Sequence, residues 1–574
     1  MACTSFFKIL WALRNIILLV IAFLLPIFFL MDASLESRCA YVMITMATLW
    51  VTGALPIAVT ALTPLFLLPL LEVQSSQEVS KNYFNDTSAL FLVGLIFAVA
   101  MHEVNLHKRI AMRITMILGT SPKAMIFGLM LPTWFLSMWI SNSATTSMML
   151  PILIAVCEQT TAMDEETEAE GSRENEDNND TQDNQLMKTE RRTPKTLEQG
   201  TVRHDSKHLN RGFALGVAYA ASIGGIATLN GSLANLVFQA HIDKRYQDYG
   251  ASDSGLTYGS WMGFGLPLSF LILILTWLWL QVVFTRCGCC KTADKERQDK
   301  MMAFIKREYK KLGNMRFGEI EVMAMFVGLT LMFLFRDIPG VGGWGDAFVD
   351  VDGRSTVTDA TVAVLMATLL FILPNKLPNQ WNSLSGISGP GYAPILTWPV
   401  AEKKIAWGVI LLFGGGFALA DASNTSGLSR LIGCELRVLK DLDPWLMNLV
   451  LCLIVTCFTE IKSNTTTSTL MMPIMFELSM TVGIHPLYLM IPTCIACSFS
   501  FMLPVASPSN AMVFSTGTVR ILDMAMTGFV QKILAVGVLT LAINTWGTVI
   551  FGLDAIPEIF INSTVVSVCP VLEI

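Results

Sequence analysis

Residues 141–152 read SNSATTSMMLPI and residues 463–474 read SNTTTSTLMMPI. This is one phrase written twice: Ser-Asn, a run of small and hydroxyl side chains, then methionine and a closing Pro-Ile. Each copy follows an apolar run and is trailed by a second matched phrase, IATLNGSLANLVF ending at Phe238 and FMLPVASPSNAMVF ending at Phe514. Backbone in hydrocarbon must be hydrogen-bonded, so a polar break within an apolar segment persists only where it lines a cavity or binds something. Two such pairs of broken segments are the pattern of an internally duplicated membrane transporter with its site where the repeats meet.

Composition agrees with a membrane setting. Of the 574 residues 53% are hydrophobic and 15% charged, and the mean hydropathy of +0.55 is far above that of a soluble chain of this length. The net charge of -6 says little, because asymmetry between loops orients such a protein. The first apolar run, Ile17 to Met31, lacks a small-residue cleavage site and is followed by many more, so it is read as a retained helix and not a signal peptide. The 12 cysteines lie mostly inside apolar runs, where a thiol behaves as a small hydrophobe. Cys287, Cys289 and Cys290 stand at a span end beside Arg286 and Lys291 as candidates for palmitoylation.

Apolar windows of roughly 20 residues mark spans. They fall near residues 11–31, 38–55, 57–73 and 88–104, with residues 105–119 as a basic amphipathic helix in the interface; together residues 1–121 form the first block. A re-entrant hairpin is expected over 122–157, broken at Ser141-Asn142, then a disordered cytoplasmic loop over 158–210. Spans resume over 211–285, broken at residues 230–232, and a basic cytoplasmic loop covers 286–317. Further spans lie within 318–421, a second hairpin over 440–480 breaks at Ser463-Asn464, and spans fill 485–552, broken at residues 504–509. Residues 553–574 form an external tail.

The expected fold is therefore an all-α polytopic membrane protein with about 11 transmembrane helices and two re-entrant hairpins. With Lys8 and Arg14 inside, charge counting keeps both basic loops cytoplasmic and puts the N-terminus inside and the C-terminus outside. The hairpins then enter from opposite faces, an inverted repeat. The sequons at Asn85 and Asn562 fall outside, where they could be glycosylated.

At each break the residues are Ser, Asn, Thr, Gly and Pro. Half-helix N-termini favour an anion, and loose carbonyls and hydroxyls suit a hard cation such as sodium. An anion bound together with cations is what that chemistry predicts. No GxxxxGK[ST] loop or HExxH motif occurs, so a nucleotide-driven pump or a membrane protease has nothing to work with. A carboxylate-binding channel or sensor remains a separate possibility, which concentrative uptake would exclude.

Over nearly its whole length, apart from residues 158–210, the chain resembles solute carrier family 13, the sodium-coupled dicarboxylate, citrate and sulfate transporters. The phrases that carry the resemblance are NLHKRIA at Asn105, SMWISN ending at Asn142, YAASIGGIATL at Tyr219, WGVILLFGGGFALA at Trp407, SGLS at Ser426 and LPVASPSNAMVF at Leu503. The resemblance implies an elevator mechanism, with the hairpins and broken spans moving against a homodimeric scaffold in the plasma membrane. It implies one sodium site from Ser137, Ser141, Asn142 and the Gly231 carbonyl, and a second from Thr459, Asn464 and the carbonyls of Lys462 and Ala506. Substrate carboxylates would meet Asn142, Ser143, Ser232, Asn464, Thr465, Ser507 and Pro508. The partners are then sodium, a di- or tricarboxylate and lipid, with no nucleic acid. Within the resemblance, ATT after the first Ser-Asn-Ser and TTST after the second Ser-Asn-Thr look more like the carboxylate branch, with sulfate as the alternative.

The chain departs from that pattern in places. Ser143 stands where threonine is usual, GSLAN at Gly231 lacks a proline, and Gly53 replaces an acidic residue before Ala-Leu-Pro. Lys462 precedes the second Ser-Asn, where a small residue is expected. A lysine at mid-membrane is costly unless paired or solvated. It is expected either to pair with Glu460 or reach into the cavity, or to stand in for a bound cation or touch the anion.

Overall fold

The computed structural model describes residues 14–32, 34–177, 195–249, 254–285, 294–336, 342–349, 356–376, 393–405, 407–428, 431 and 442–561. Asn562 and the cysteines at 287, 289 and 290 lie outside them. Among the described residues the structure is helical, with only an isolated antiparallel bridge between Pro374 and Pro394. In chain order the helices used below are α1 (Leu35–Thr52), α2 (Asp86–Glu103), α3 (Leu106–Leu118), α4 (Pro122–Ser137), α5 (Asn142–Asp177), α6 (Lys195–Gly224), α7 (Leu233–Asp248) and α8 (Tyr258–Phe284). The second half adds α9 (Phe317–Leu334), α10 (Trp407–Thr425), α11 (Pro444–Ile461), α12 (Asn464–Val482), α13 (Pro486–Ala496), α14 (Pro508–Ser515) and α15 (Ile521–Ala542).

Local chemistry sets where these helices start. Proline occupies the first turn of α4, α11, α13 and α14, where its missing N–H costs nothing. Hydroxyl caps precede several of them: Ser121 accepts from Ala124 N, and Ser463 from Thr466 N.

Among the described residues four helices are each long and apolar enough to cross a bilayer: Tyr258–Phe284, Phe317–Leu334, Pro444–Ile461 and Ile521–Phe551. Bent pairs raise that number to at most six. Length and composition find fewer spans than the sequence reading expects, and several of the other apolar helices, Ile57–Leu70, Asp359–Ile372 and Pro486–Ala496 among them, are 10–17 residues long. Large apolar side chains such as Leu24, Phe66, Val282 and Phe529 point outward, as lipid-facing positions do.

Helix α3 turns 70° from the span before it, at Asn105, whose φ of 58° is left-handed. Its basic face does not lie wholly in the interface. Arg109 is buried, its Nε 2.6 Å from Glu319 Oε2 and its guanidinium donating to the carbonyls of Leu312, Gly313 and Asn314. A buried guanidinium needs such partners, and they come from a stretch far along the chain, invisible to local spacing.

The stretch 158–210, expected as a loop, is helical where it is described. Helix α5 runs on to Asp177 and α6 starts at Lys195, while residues 178–194 lie outside the described set. The Glu, Ala, Met and Lys content of these flanks favours helix, and Asn210 donates to the Cys157 carbonyl at 3.3 Å, joining the two flanks.

The two duplicated phrases fold alike. Helices α4 and α5 form one hairpin turning at residues 138–141; α11 and α12 form the other, turning at Lys462 and Ser463. Helix α6 breaks and resumes as α7, and α13 breaks and resumes as α14. The units interlock: α12 packs on α7, and α5 packs on α14. The Ser468 hydroxyl donates to the Ala234 carbonyl at 3.0 Å, fastening the second hairpin to the first broken helix. Fully buried Tyr219, Phe499 and Phe501 pack ring on ring around the second break.

Candidate functional site

The first cradle forms where the turn of the α4–α5 hairpin meets the break between α6 and α7. Ser137 ends α4, and its hydroxyl oxygen lies 2.6 Å from the Ala221 carbonyl and 2.9 Å from Asn142 Oδ1. One hydroxyl proton cannot satisfy both oxygens at once, so electron-rich atoms crowd together. Asn142 Oδ1 sits directly over Gly225, and a Cβ at Gly231 would come within 2.8 Å of both the Gly225 and Met138 carbonyls. Only glycine permits that approach. Asn235 Nδ2 ties the break by donating to the carbonyls ten and seven residues upstream, Gly225 at 3.0 Å and Thr228 at 2.9 Å. The Thr228 hydroxyl donates to the Met138 carbonyl and accepts from Gly231 N.

The second cradle repeats the first almost bond for bond. Thr459 near the end of α11 has its hydroxyl 2.6 Å from the Cys497 carbonyl and 3.1 Å from Asn464 Oδ1. Ser500 adds a hydroxyl 3.1 Å from the same Oδ1. Asn510 Nδ2 again donates to carbonyls ten and seven residues upstream, Ser500 at 2.9 Å and Leu503 at 3.1 Å.

One element has no counterpart in the first cradle. The Glu460 carboxylate accepts from the backbone N–H groups of Phe501, Met502 and Leu503, and Lys532 Nζ lies 2.8 Å from it with both side chains almost wholly buried. Lys532 also donates to the Thr456 carbonyl.

Of the residues named from the sequence, Ser137, Asn142 and Gly231 converge on the first cradle, and Thr459 and Asn464 on the second. Ser141 faces Ser143 across the first hairpin turn, with 3.5 Å between their hydroxyl oxygens. Ser232 lies 3.4 Å from Ser498, so the two breaks touch. Thr465 is buried in the first turn of α12, Ser507 caps α14 by accepting from Asn510 N at 3.2 Å, Pro508 opens that helix, and Ala506 is buried in the turn before it. Helices α5, α7, α12 and α14 each start at one of these turns, so free N–H groups and a positive dipole end stand beside each cradle.

The ammonium of Lys462 does not join the second cradle or pair with Glu460, which Lys532 already holds. It donates to the Trp50 carbonyl at the end of α1, 2.7 Å away. A cation at a helix C-terminus meets carbonyls left free there, which makes this direction favourable. Asn85 caps α2, its Oδ1 accepting from Ser88 N at 2.9 Å. His102 and Glu103 lie at the other end of α2, where Lys404 contacts both.

The site can hold hard cations by its donor set, hydroxyls and carbonyls without a cluster of acidic ligands. Among the described residues the buried oxygens of Asn230, Ser509 and Asn510 have no hydrogen-bond partner, so they are free to accept from water or to meet a cation. Sequence reasoning passed over Thr228, Ser500, Glu460 and Lys532 as site residues. Two ionisable residues within apolar spans were the available signal for the last pair.

A family model described as the sodium:sulfate symporter transmembrane region matches residues 7–553. The chain is similar to the Na(+)/citrate cotransporter of Mus musculus, 40% identical over 92% of this chain and 94% of the relative. It is also similar to solute carrier family 13 member 2 of Rattus norvegicus, 40% identical over 96% and 95%, and to the Na(+)/dicarboxylate cotransporter 3 of Homo sapiens, 36% identical over 96% and 95%. On these grounds the chain belongs to the sodium:sulfate symporter family of membrane transporters.

Proposed function

We propose that this chain is a sodium-coupled symporter of di- and tricarboxylates in the plasma membrane. The observation that carries the reading is the pair of matched oxygen cradles, Ser137 with Asn142 and Thr459 with Asn464, set among four helix N-termini. The relatives named for citrate and dicarboxylates supply the substrate class.

Sodium enters the first cradle through Ser137, Ser141, Asn142 and the Gly231 carbonyl, and the second through Thr459, Asn464 and the carbonyls of Lys462 and Ala506. Each ion draws those oxygens together and fixes the hairpin turn. The fixed turns then present Asn142, Ser143, Ser232, Asn464, Thr465, Ser507 and the start of α14 to the carboxylates. Because the donors are neutral, substrate charge is balanced by the ions themselves. Net positive charge moving inward gains about 2.3 kcal/mol per unit charge per 100 mV.

In this reading the hairpins enter from opposite faces, and α4–α8 with α11–α15 form a body that slides against the remaining helices. The protein works as a homodimer with its N-terminus inside and its C-terminus outside. Sulfate is the second reading, favoured by the description of the matching family.

Uptake of labelled succinate, citrate and sulfate into cells expressing the chain, with sodium exchanged for choline, tests the function. Concentrative, sodium-dependent uptake of a carboxylate is expected. Accumulation that persists in choline overturns sodium coupling, and accumulation of sulfate alone favours the second reading.

A further inference from the structure

Away from the breaks, the helices that carry the cradles meet the rest of the protein again in a charged cluster at the end of α7. Lys244 Nζ lies 2.5 Å from Asp421 Oδ1 on α10 and donates to Asn82 Oδ1 at 3.2 Å. Asp421 also accepts from Gln74 Nε2 and Asn82 Nδ2, both at 3.1 Å. The next residue, Arg245, bridges the two sides: it pairs with Glu477 on α12 at 2.7 Å, lies 4.8 Å over the Phe476 ring, and donates to Asn424 on α10. Asn424 in turn donates to Asp248 at 3.1 Å. Neighbouring residues on one helix therefore hold two different carboxylates, Glu477 on a cradle-bearing helix and Asp421 on a helix that carries no cradle residue, and Arg245 adds a neutral contact to that second helix.

We propose that the Lys244–Asp421 pair, braced by Gln74 and Asn82, is an ionic lock that holds the cradle-bearing body in one position of the transport cycle. The proposal rests on the two-body reading given above. Opening the cluster strips the Asp421 carboxylate of an ammonium and two amide donors at once, so the lock gives this position a specific barrier to leaving. The contrast with Arg109 is informative. There a carboxylate and three carbonyls take up the guanidinium, a contact built to stay. In the α7 cluster Arg245 Nε and Gln74 Oε1 are buried without a partner, and the Lys244 side chain remains 37% exposed, so water can replace its contacts when the cluster opens.

The test uses the full-length chain in cells, with surface copies counted. Cysteines at 244 and 421, joined through disulfides to a bifunctional methanethiosulfonate reagent long enough to span the lysine–aspartate pair (the oxidised state), are expected to stop sodium-dependent uptake, and a reductant to restore it. Cysteines at 245 and 477, both within the moving body, should give the same uptake oxidised or reduced. Separately, Lys244→Glu and Asp421→Lys are each expected to change maximal uptake per surface copy by about tenfold, and the double swap to return it to within about twofold. Should a reversal fail to reach the surface, Lys244→Met with Asp421→Asn reads the same quantity. If the oxidised 244–421 pair still transports at the reduced rate, the two-body reading falls and the lock with it. If cross-linking stops uptake but the charge variants leave maximal uptake unchanged, the lock alone falls.

Discussion

The two cradles share their oxygen geometry and differ in what holds the backbone behind it. In the first, the N–H groups of Ile226 and Ala227 are taken by carbonyls three residues upstream, Ile223 at 3.4 Å and Gly224 at 3.1 Å. In the second, the corresponding N–H groups of Phe501 to Leu503 converge on one buried carboxylate, held by one buried ammonium. A chain turn is soft and a charge-assisted clamp is stiff. We therefore expect the ion to order the first cradle and to find the second already ordered.

The largest effect should come from Glu460→Gln. It leaves the Lys532 ammonium buried without its counter-ion, a loss of about 3–5 kcal/mol, and frees the backbone of the second break. Surface copies and uptake should both collapse, and adding Lys532→Met should recover surface copies in part; full uptake by Glu460→Gln alone would show that the two cradles are equivalent.

Next in size, Gly231→Ala drives a methyl against two carbonyls and should abolish sodium-dependent uptake while the chain still reaches the surface. A variant with ordinary sodium affinity would mean that the first cradle is not where an ion sits.

Asn142→Ala and Asn464→Ala should each raise the sodium concentration for half-maximal uptake about tenfold, the effect of losing a ligand worth roughly 1.4 kcal/mol. The steeper loss is expected for Asn142, because the softer cradle depends more on each contact. The reverse order, read from sodium titrations, would invert the comparison. The smallest effect belongs to Lys462→Met, which leaves both cradles intact and should move sodium half-saturation less than about twofold. A large shift would return Lys462 to the second cradle.

Much of this was open to inspection in the chain itself. The duplicated Ser-Asn phrases locate both hairpin turns, and the matched phrases ending at Phe238 and Phe514, which contain Asn235 and Asn510, locate both breaks, because polar residues in apolar segments are rare enough to be informative. What escaped was long-range pairing. Nothing near Arg109 announces Glu319, nothing near Glu460 announces Lys532, and Lys462 finds its carbonyl on α1. The helical flanks of residues 158–210 escaped for another reason: polar composition resembles that of a loop although the individual propensities favour helix.

The 3.4 Å between Ser232 and Ser498 has a kinetic meaning. A hydroxyl from each half shares one small space, so tightening either turn shifts the footing of the other. Occupancy of one pocket should thus change the residence time of sodium in its twin, and uptake should climb more steeply with sodium than two independent pockets would allow.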